Sequence, residues 1–166
     1  MPDISVGCAC GAVEGVIRDA TPDRGTHCVC YCKDCQAFAH YLDCTDEMLN
    51  AEGGTAIYQT LPSRVDFSKG ADRLACVQVT ENGIYRWYAD CCKSPIGNTA
   101  QSDKLPFVGL IAISIGRKAT PQEQLQSIGP ANVAVHVKSA NGPVDTSGQK
   151  GAAFSILRAV GRMLKA

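Results

Sequence analysis

No apolar run in this sequence approaches the roughly 18 to 20 residues that a helix needs to cross a bilayer, so a membrane partner is not expected. Charge of one sign is not in excess either: 16 Lys and Arg balance 16 Asp and Glu. A nucleic-acid binder usually carries a basic surplus to neutralise phosphates, so no nucleic-acid partner is expected. An acidic tail, an internal repeat and a low-complexity tract are all missing. The start, MPDISVGCACG, lacks a basic segment followed by an apolar stretch. No secretory signal is expected from it, and the expected compartment is the cytoplasm. What these absences leave is a 166-residue chain, 45% hydrophobic and 19% charged, suited to one globular domain.

Ten cysteines stand out against that background. In a reducing compartment a disulfide framework explains them poorly. Clustered cysteines there are more often metal ligands or catalytic thiols, and metal binding is the expectation.

The first hundred residues read as short β segments separated by turns, so the fold is expected to be mainly β. Ala12–Ile17 and Thr55–Thr60 are β-like runs. Leu74–Thr80 alternates, with Ala75, Val77 and Val79 on one face, and Ile84–Tyr88 is β-branched and aromatic. Between them, Glu81-Asn82-Gly83 carries the Asn-Gly hairpin signal. The spacing therefore predicts a hairpin over Leu74–Tyr88 that delivers the chain to Cys91 and Cys92. Gln36–Leu42 is expected as a short helix or turn.

A core of residues 1–104 is expected to hold every cysteine, followed by a cysteine-free extension, 105–166, packed on the same domain. Within it Leu110–Ile115 is continuously apolar. Pro121–Ser127 reads as a helix with Thr120 as N-cap. Gly151–Ala166 reads as an amphipathic helix, with Phe154, Leu157, Val160 and Leu164 at helical spacing. Its cations, Lys150, Arg158, Arg162 and Lys165, suit a membrane surface, but the apolar stripe is expected to pack on the domain.

The cysteines form three clusters: Cys8-Ala9-Cys10-Gly11, Cys28 to Cys35, and Cys91-Cys92. A tetrahedral zinc with thiolates at about 2.3 Å holds its sulfurs roughly 3.8 Å apart. Residues two apart on an extended chain share a face about 6.8 Å apart at Cα, so a CxC pair is half a site. Cys30, Cys32 and Cys35 share a metal if the chain turns through Lys33-Asp34. Cys28 would lie about 13 to 14 Å from Cys32 on an extended run, which leaves it a packed thiol, or a ligand only in a curled loop. The clusters divide into a closed site of Cys8, Cys10, Cys91 and Cys92 and a second site of Cys30, Cys32 and Cys35 with an open position. Four protein ligands are the structural pattern and three the reactive one.

In order and spacing these motifs resemble the family of glutathione-dependent formaldehyde-activating enzymes, which includes centromere protein V. The resemblance covers roughly Gly7 to Asn98 and rests on Cys8-Ala9-Cys10-Gly11, Cys30-Tyr31-Cys32-Lys33-Asp34-Cys35 and Tyr88-Ala89-Asp90-Cys91-Cys92-Lys93. It implies a zinc-stapled β-tent fold, a structural zinc at the first and last motifs, and a second zinc at the middle one. It also implies carbon–sulfur lyase activity on a glutathione–aldehyde adduct of the S-hydroxymethylglutathione type. Cys30, Cys32 and Cys35 would be the catalytic centre, glutathione a co-substrate, and a small thiol or aldehyde adduct the partner. Homo-oligomerisation is left open. Two positions depart from the pattern. Ala89 stands where the first cysteine of the family's CxxC falls, with Cys91 its nearest replacement, and Lys93 stands where a glycine follows. A non-enzymatic zinc-stapled binding module is the competing reading, and a redox or metal sensor using Cys91-Cys92 a third.

Outside the motifs, Cys44 and Cys76 are expected as small buried hydrophobes. His27 and His40 flank the middle cluster and are expected as surface or capping residues, with a fourth ligand as the alternative. Lys33 is expected to be solvated, or else paired with the thiolate-rich site. Trp87 is expected in the core, or otherwise as the wall of a pocket. Lys69-Gly70 is expected as a turn.

Overall fold

A computed structural model describes residues 3–102, 104–117, 119–149 and 151–163. In chain order its elements are β1 (Ile4–Gly7), β2 (Glu14–Ile17), β3 (Thr26–Cys30), α1 (Lys33–Tyr41), α2 (Thr45–Met48) and β4 (Thr55–Thr60). There follow β5 (Val65–Lys69), β6 (Leu74–Val77), β7 (Tyr85–Ala89), β8 (Ser94–Thr99) and β9 (Val108–Ile111). The last are α3 (Pro121–Ile128), β10 (Val133–Val135) and α4 (Ala152–Met163). The architecture is mainly β, as the short alternating segments predict. Among the described residues the strands form two sheets, one of three strands ordered β1-β2-β5 and one of seven ordered β10-β3-β4-β9-β8-β7-β6. Every pair is antiparallel except β10 with β3.

Strand side chains alternate between faces, so the larger sheet has two apolar sides. Tyr58 stands opposite Leu110 on one side, and Cys28, Ile57 and Ile111 line up on the other. The first side closes on the small sheet, where Ile4, Val6, Val13 and Ile17 meet Tyr58, Ile96, Val108 and Leu110. The second side is covered by α1 and α2, with Phe38, Ala39, Leu42 and Met48 against Cys28, Ile57, Ile111 and Val133. Each such fully buried side chain contributes about 1.5–3 kcal/mol. The sites below lie where chain ends of these layers meet.

The hairpin forms, with Leu74 opposite Ala89 and Val77 opposite Arg86. Its strands stop sooner than the alternation suggests: Val79 is exposed beyond the sheet, and the chain reverses through Thr80–Gly83, with the Gly83 amide 2.9 Å from the Thr80 carbonyl. β4 matches its expected bounds. Thr120 caps α3 in a full capping box with Glu123. The residues after 104 are woven into the large sheet: β9 lies between β4 and β8, and β10 pairs in parallel with β3.

α4 departs from the expected packing. Leu157 is 71% exposed and Val160 46% exposed, so they are not on the packed side. Among the described side chains of α4 the half-buried positions are Phe154, Arg158 and Gly161, again at helical spacing but offset from the expected stripe. Arg158 sets that offset, because its guanidinium donates to the Pro22 and Asp23 carbonyls at 2.8 and 3.1 Å. Leu164, Lys150 and Lys165 lie outside the described residues, as does the side chain of Arg162. Among the described residues no helix is long and apolar enough to cross a membrane.

Candidate metal centres

The first centre gathers Cys8, Cys10, Cys91 and Cys92, whose sulfurs all lie within 4.8 Å of one another. Cys10 and Cys91 are 3.4 Å apart, Cys8 and Cys10 3.5 Å, Cys8 and Cys91 3.9 Å, and Cys91 and Cys92 3.9 Å. These spacings fit the roughly 3.8 Å edge of a tetrahedral zinc–thiolate site. Cys8 and Cys10 follow β1, and Cys91 and Cys92 occupy the turn between β7 and β8. Both turns are tight: the Gly11 amide reaches the Cys8 carbonyl at 3.3 Å, and the Cys92 amide reaches the Ala89 carbonyl at 3.4 Å. In both, the residue after the second cysteine is left-handed, Gly11 at φ +73° and Lys93 at φ +56°. The vicinal pair thus turns its sulfurs together by placing backbone strain on Lys93. Ala89 is fully buried in the core between the sheets, and Cys91 stands at the sulfur cluster in its place.

Local hydrogen bonds prepare these sulfurs. The Val13 amide donates to Cys8 Sγ at 3.2 Å. Burial raises the Cys8 pKa, but that amide and Cys10 outweigh it and leave it lowered. Burial also opposes ionisation of Cys92, yet Ser94 and the Cys10 amide bring it down to about 6. Cys91 is pushed up to about 12 by burial and by contact with Cys10 and Cys8. Ser94 had no role in the sequence reading. Its Oγ lies 3.2 Å from Cys92 Sγ and accepts from the Ala9 amide at 2.9 Å, which ties the two halves of the centre together.

The second centre gathers Cys30, Cys32 and Cys35, also within 4.8 Å of one another. Cys30 ends β3. Cys32 is the N-cap of α1, in extended backbone (φ −65°, ψ 147°), and its sulfur accepts from the Cys35 amide at 3.3 Å. Helix periodicity does the rest: Cys35, Phe38, Ala39 and Leu42 fall on one face and are buried together. Cys32 Sγ and Cys35 Sγ are 3.1 Å apart. Cys32 is the sulfur that ionises first, held far below the ordinary thiol value by its contacts with Cys30 and Cys35, then the Cys35 amide and the Arg86 guanidinium. Cys30 is pushed up by Cys32, Cys35 and burial.

The C-terminal part of the chain clamps this loop. The Tyr31 amide bonds the Val135 carbonyl at 3.0 Å. Gln36 donates to the carbonyls of Tyr31 and Ser139, both at 3.1 Å. Lys33 is held by Gln36 and Asn141, at 3.1 and 3.2 Å, and not by a sulfur or carboxylate.

Beneath the sulfurs lies Arg86, a residue given no role by the sequence reading. Its side chain is 2% exposed. Its Nη1 is 3.5 Å from Cys35 Sγ and 3.3 Å from Asn98 Oδ1. Its Nη2 is 4.0 Å from Cys32 Sγ and 3.7 Å from Asp34 Oδ2. The signal was present in the hairpin: pairing Arg86 with Val77 places a cation on an apolar face.

Among the described residues no fourth Cys, His, Asp or Glu joins the second centre. Cys28 is fully buried on the apolar side of the large sheet, its pKa raised to about 12, chiefly by burial. His27 turns its Nδ1 to the Gly129 carbonyl at 2.7 Å. Cys44 is half-buried and seals the end of α1, its amide bonding the Ala39 carbonyl at 3.0 Å just after Asp43 at φ +55°. Cys76 corrects the expectation of a buried thiol: it is exposed, because Leu74–Val77 is the edge strand. Trp87 packs on the core between the sheets and borders an apolar cavity of about 240 Å³ there, with Phe67, Leu74 and Leu110. Lys69-Gly70 is a turn, with Gly70 at φ +68°.

No curated protein matches the chain. Among solved structures, a crystal structure of a Rhodobacter sphaeroides protein is similar, with a TM-score of 0.50 and 16% sequence identity over 76% of this chain and 96% of that one. At that identity the likeness is one of fold. A family model matches residues 2–165 from end to end, and the chain accordingly belongs to that family, the family of unknown function DUF6151.

Proposed function

We propose that this chain is a zinc protein with one closed and one open centre, and that the open one handles thiol adducts of aldehydes. The observation that carries this reading is the convergence of three sulfurs, without a fourth ligand among the described residues, at the capped start of α1. Cys30, Cys32 and Cys35 would hold the metal. A donor set of thiolates alone suits zinc among the common divalent ions. Bound there, zinc lowers the pKa of a thiol and polarises an oxygen. The reaction is the one implied by the resemblance to formaldehyde-activating enzymes. In an S-hydroxymethyl thioether such as S-hydroxymethylglutathione the carbon–sulfur bond breaks, the hydroxyl gives up its proton, the carbon becomes an aldehyde and the sulfur leaves as a thiol. The chain's own residues bind and orient: Cys32, the half-buried sulfur, marks the accessible side, and Arg86 fixes the charge beneath it.

The burial of Cys30 and Cys35, 8% and 2% exposed, favours a second reading. A centre so enclosed also suits a purely structural zinc in a binding module. Elemental analysis of purified protein, followed by glutathione titration under X-ray absorption, separates the two. Two zinc ions, one of which gains a sulfur neighbour with glutathione, are expected for the open centre. Two ions unmoved by excess glutathione sink the lyase reading and leave the module.

A further inference from the structure

We propose that Arg86 is the built-in counter-cation of the second centre and decides what charge an incoming fourth ligand can carry, admitting thiolates. This rests on the reading of that centre as an open three-thiolate site.

A guanidinium has five donors and cannot shed its charge. Burying one without matching negative charge is costly. The acidic group beside Arg86 is Asp34, 3.7 Å away and 32% exposed. The remaining contacts are Asn98, two sulfurs, and the face of Phe38 at 5.8 Å from the guanidinium carbon. Among the described residues its Nε is buried without a hydrogen-bond partner. The anion that justifies this placement is the sulfur cluster itself. Three thiolates around a divalent ion carry one net negative charge, and Arg86 brings that metal unit to neutrality, with the carboxylate of Asp34 outside the count at the water-exposed rim. A further thiolate then leaves a single negative charge in the interior, where without Arg86 it would leave two. A neutral ligand such as imidazole leaves the count unchanged, so its binding is indifferent to Arg86. The first centre sets the contrast. Cys10 and Cys91 there are exposed, so water can screen four thiolates and no buried cation is required.

The test uses the full chain loaded with cobalt(II), whose sulfur-to-metal absorption reports an added thiolate and whose d–d bands report an added imidazole. The wild type should take two ions and bind both 2-mercaptoethanol and imidazole at one of them. Arg86→Gln should weaken 2-mercaptoethanol binding by about 10- to 100-fold, the range for groups behind a metal's ligands. Its imidazole affinity should move by less than about 3-fold, within the context scatter of a group that touches the ligands alone. Arg86→Lys keeps the charge, and should keep the wild-type ratio of thiol to imidazole affinity. Should Arg86→Gln not fold, that ratio in Arg86→Lys decides the matter, and a fall in it overturns the proposal. Parallel losses for both ligands in Arg86→Gln, or no loss for either, would mean that Arg86 only braces α1 on the sheet. A wild type that takes a single ion removes the open centre itself, and this proposal with it.

Discussion

The sulfur of Cys10 lies 3.4 Å from that of Cys91, although 81 residues separate them. A metal at this contact pins the loop after β1 to the turn after β7. Structural zinc contributes roughly 10–16 kcal/mol in small metal-folded domains, against a typical total stability of about 5–15 kcal/mol. The double variant Cys8→Ser, Cys10→Ser is therefore expected to lose one metal ion and unfold globally. Thermal melting alongside metal analysis checks this, and an unchanged melting temperature with full metal content would falsify it.

Acid should open the same centre. Ligand sulfurs must be deprotonated, and Cys92 stays a thiolate down to about 6, well below the ordinary thiol value. A depressed pKa contributes stability above the unfolded value and loses it as pH falls through the folded one. Cys91, pushed the other way by burial and by the same contacts, loses its proton to the metal itself, so the depressed Cys8 and Cys92 set the acid limit. Metal release and unfolding should therefore occur together as pH falls through about 6. A colorimetric chelator and circular dichroism, followed along one acid titration, read both. Release already complete near the ordinary thiol range, above pH 8, contradicts the role given to Ser94 and the Cys10 amide.

Lys93 occupies a left-handed backbone position at φ +56°. For a residue with a side chain that conformation costs about 1–2 kcal/mol. Its ammonium meets Asp90 at 2.6 Å at the surface and stands at 5.1 Å over the ring of the buried Tyr88. Lys93→Ala loses those contacts and keeps the strain, so it should be less stable than the wild type. Lys93→Gly loses them too but relieves the strain, and should be more stable than Lys93→Ala by about 1 kcal/mol. Denaturant melts of the pair decide it, and a glycine variant weaker than the alanine one refutes the strain.

Ser94 is expected to matter beyond its size. It is buried and joins Ala9 to Cys92. Ser94→Ala leaves the Ala9 amide without that acceptor, at a cost of about 1–3 kcal/mol. It should also weaken metal binding at the first centre by about 10- to 100-fold, leaving the second centre untouched. A competition titration resolves the two sites. Equal weakening of both centres would point to general loosening of the fold.

Local signals carried much of the architecture. β4, the Thr120 N-cap of α3 and the pairing of β6 with β7 were legible because propensity and capping chemistry act over a few residues, whereas Asn82-Gly83 does not form the positive-φ turn its signal suggests. Reach along an extended chain marked the CxC half-sites and set Cys28 apart, while joining Cys8 and Cys10 to Cys91 and Cys92 rested on dividing the remaining clusters and on the family resemblance. Less legible were features made by distant partners. Val133–Val135 is too short to announce a strand, and exists because it pairs with β3. The offset of the packed side of α4 depends on carbonyls of Pro22 and Asp23, far away in sequence. Arg86 becomes distinctive only through the register that places it under Cys35.

Register in β7 has a consequence for how the chain is made. Arg86 and Trp87 are neighbours that point to opposite sides of the large sheet, one to the sulfurs and one to the space between sheets. A slip by one residue would exchange them, placing a guanidinium among Phe67, Leu74 and Leu110. Eight of the ten cysteines precede Arg86 in the sequence, and the other two follow it by a few residues. A polypeptide emerging from the ribosome therefore displays most of its thiols before the strand that completes both centres exists. An ion captured at that stage would sit in a half-built site and exchange freely with metal in solution. The first centre can close only once β7 and the turn after it, through Cys92, have been made, and protein halted just short of β7 is expected to be recovered metal-poor and prone to cross-linking through its thiols.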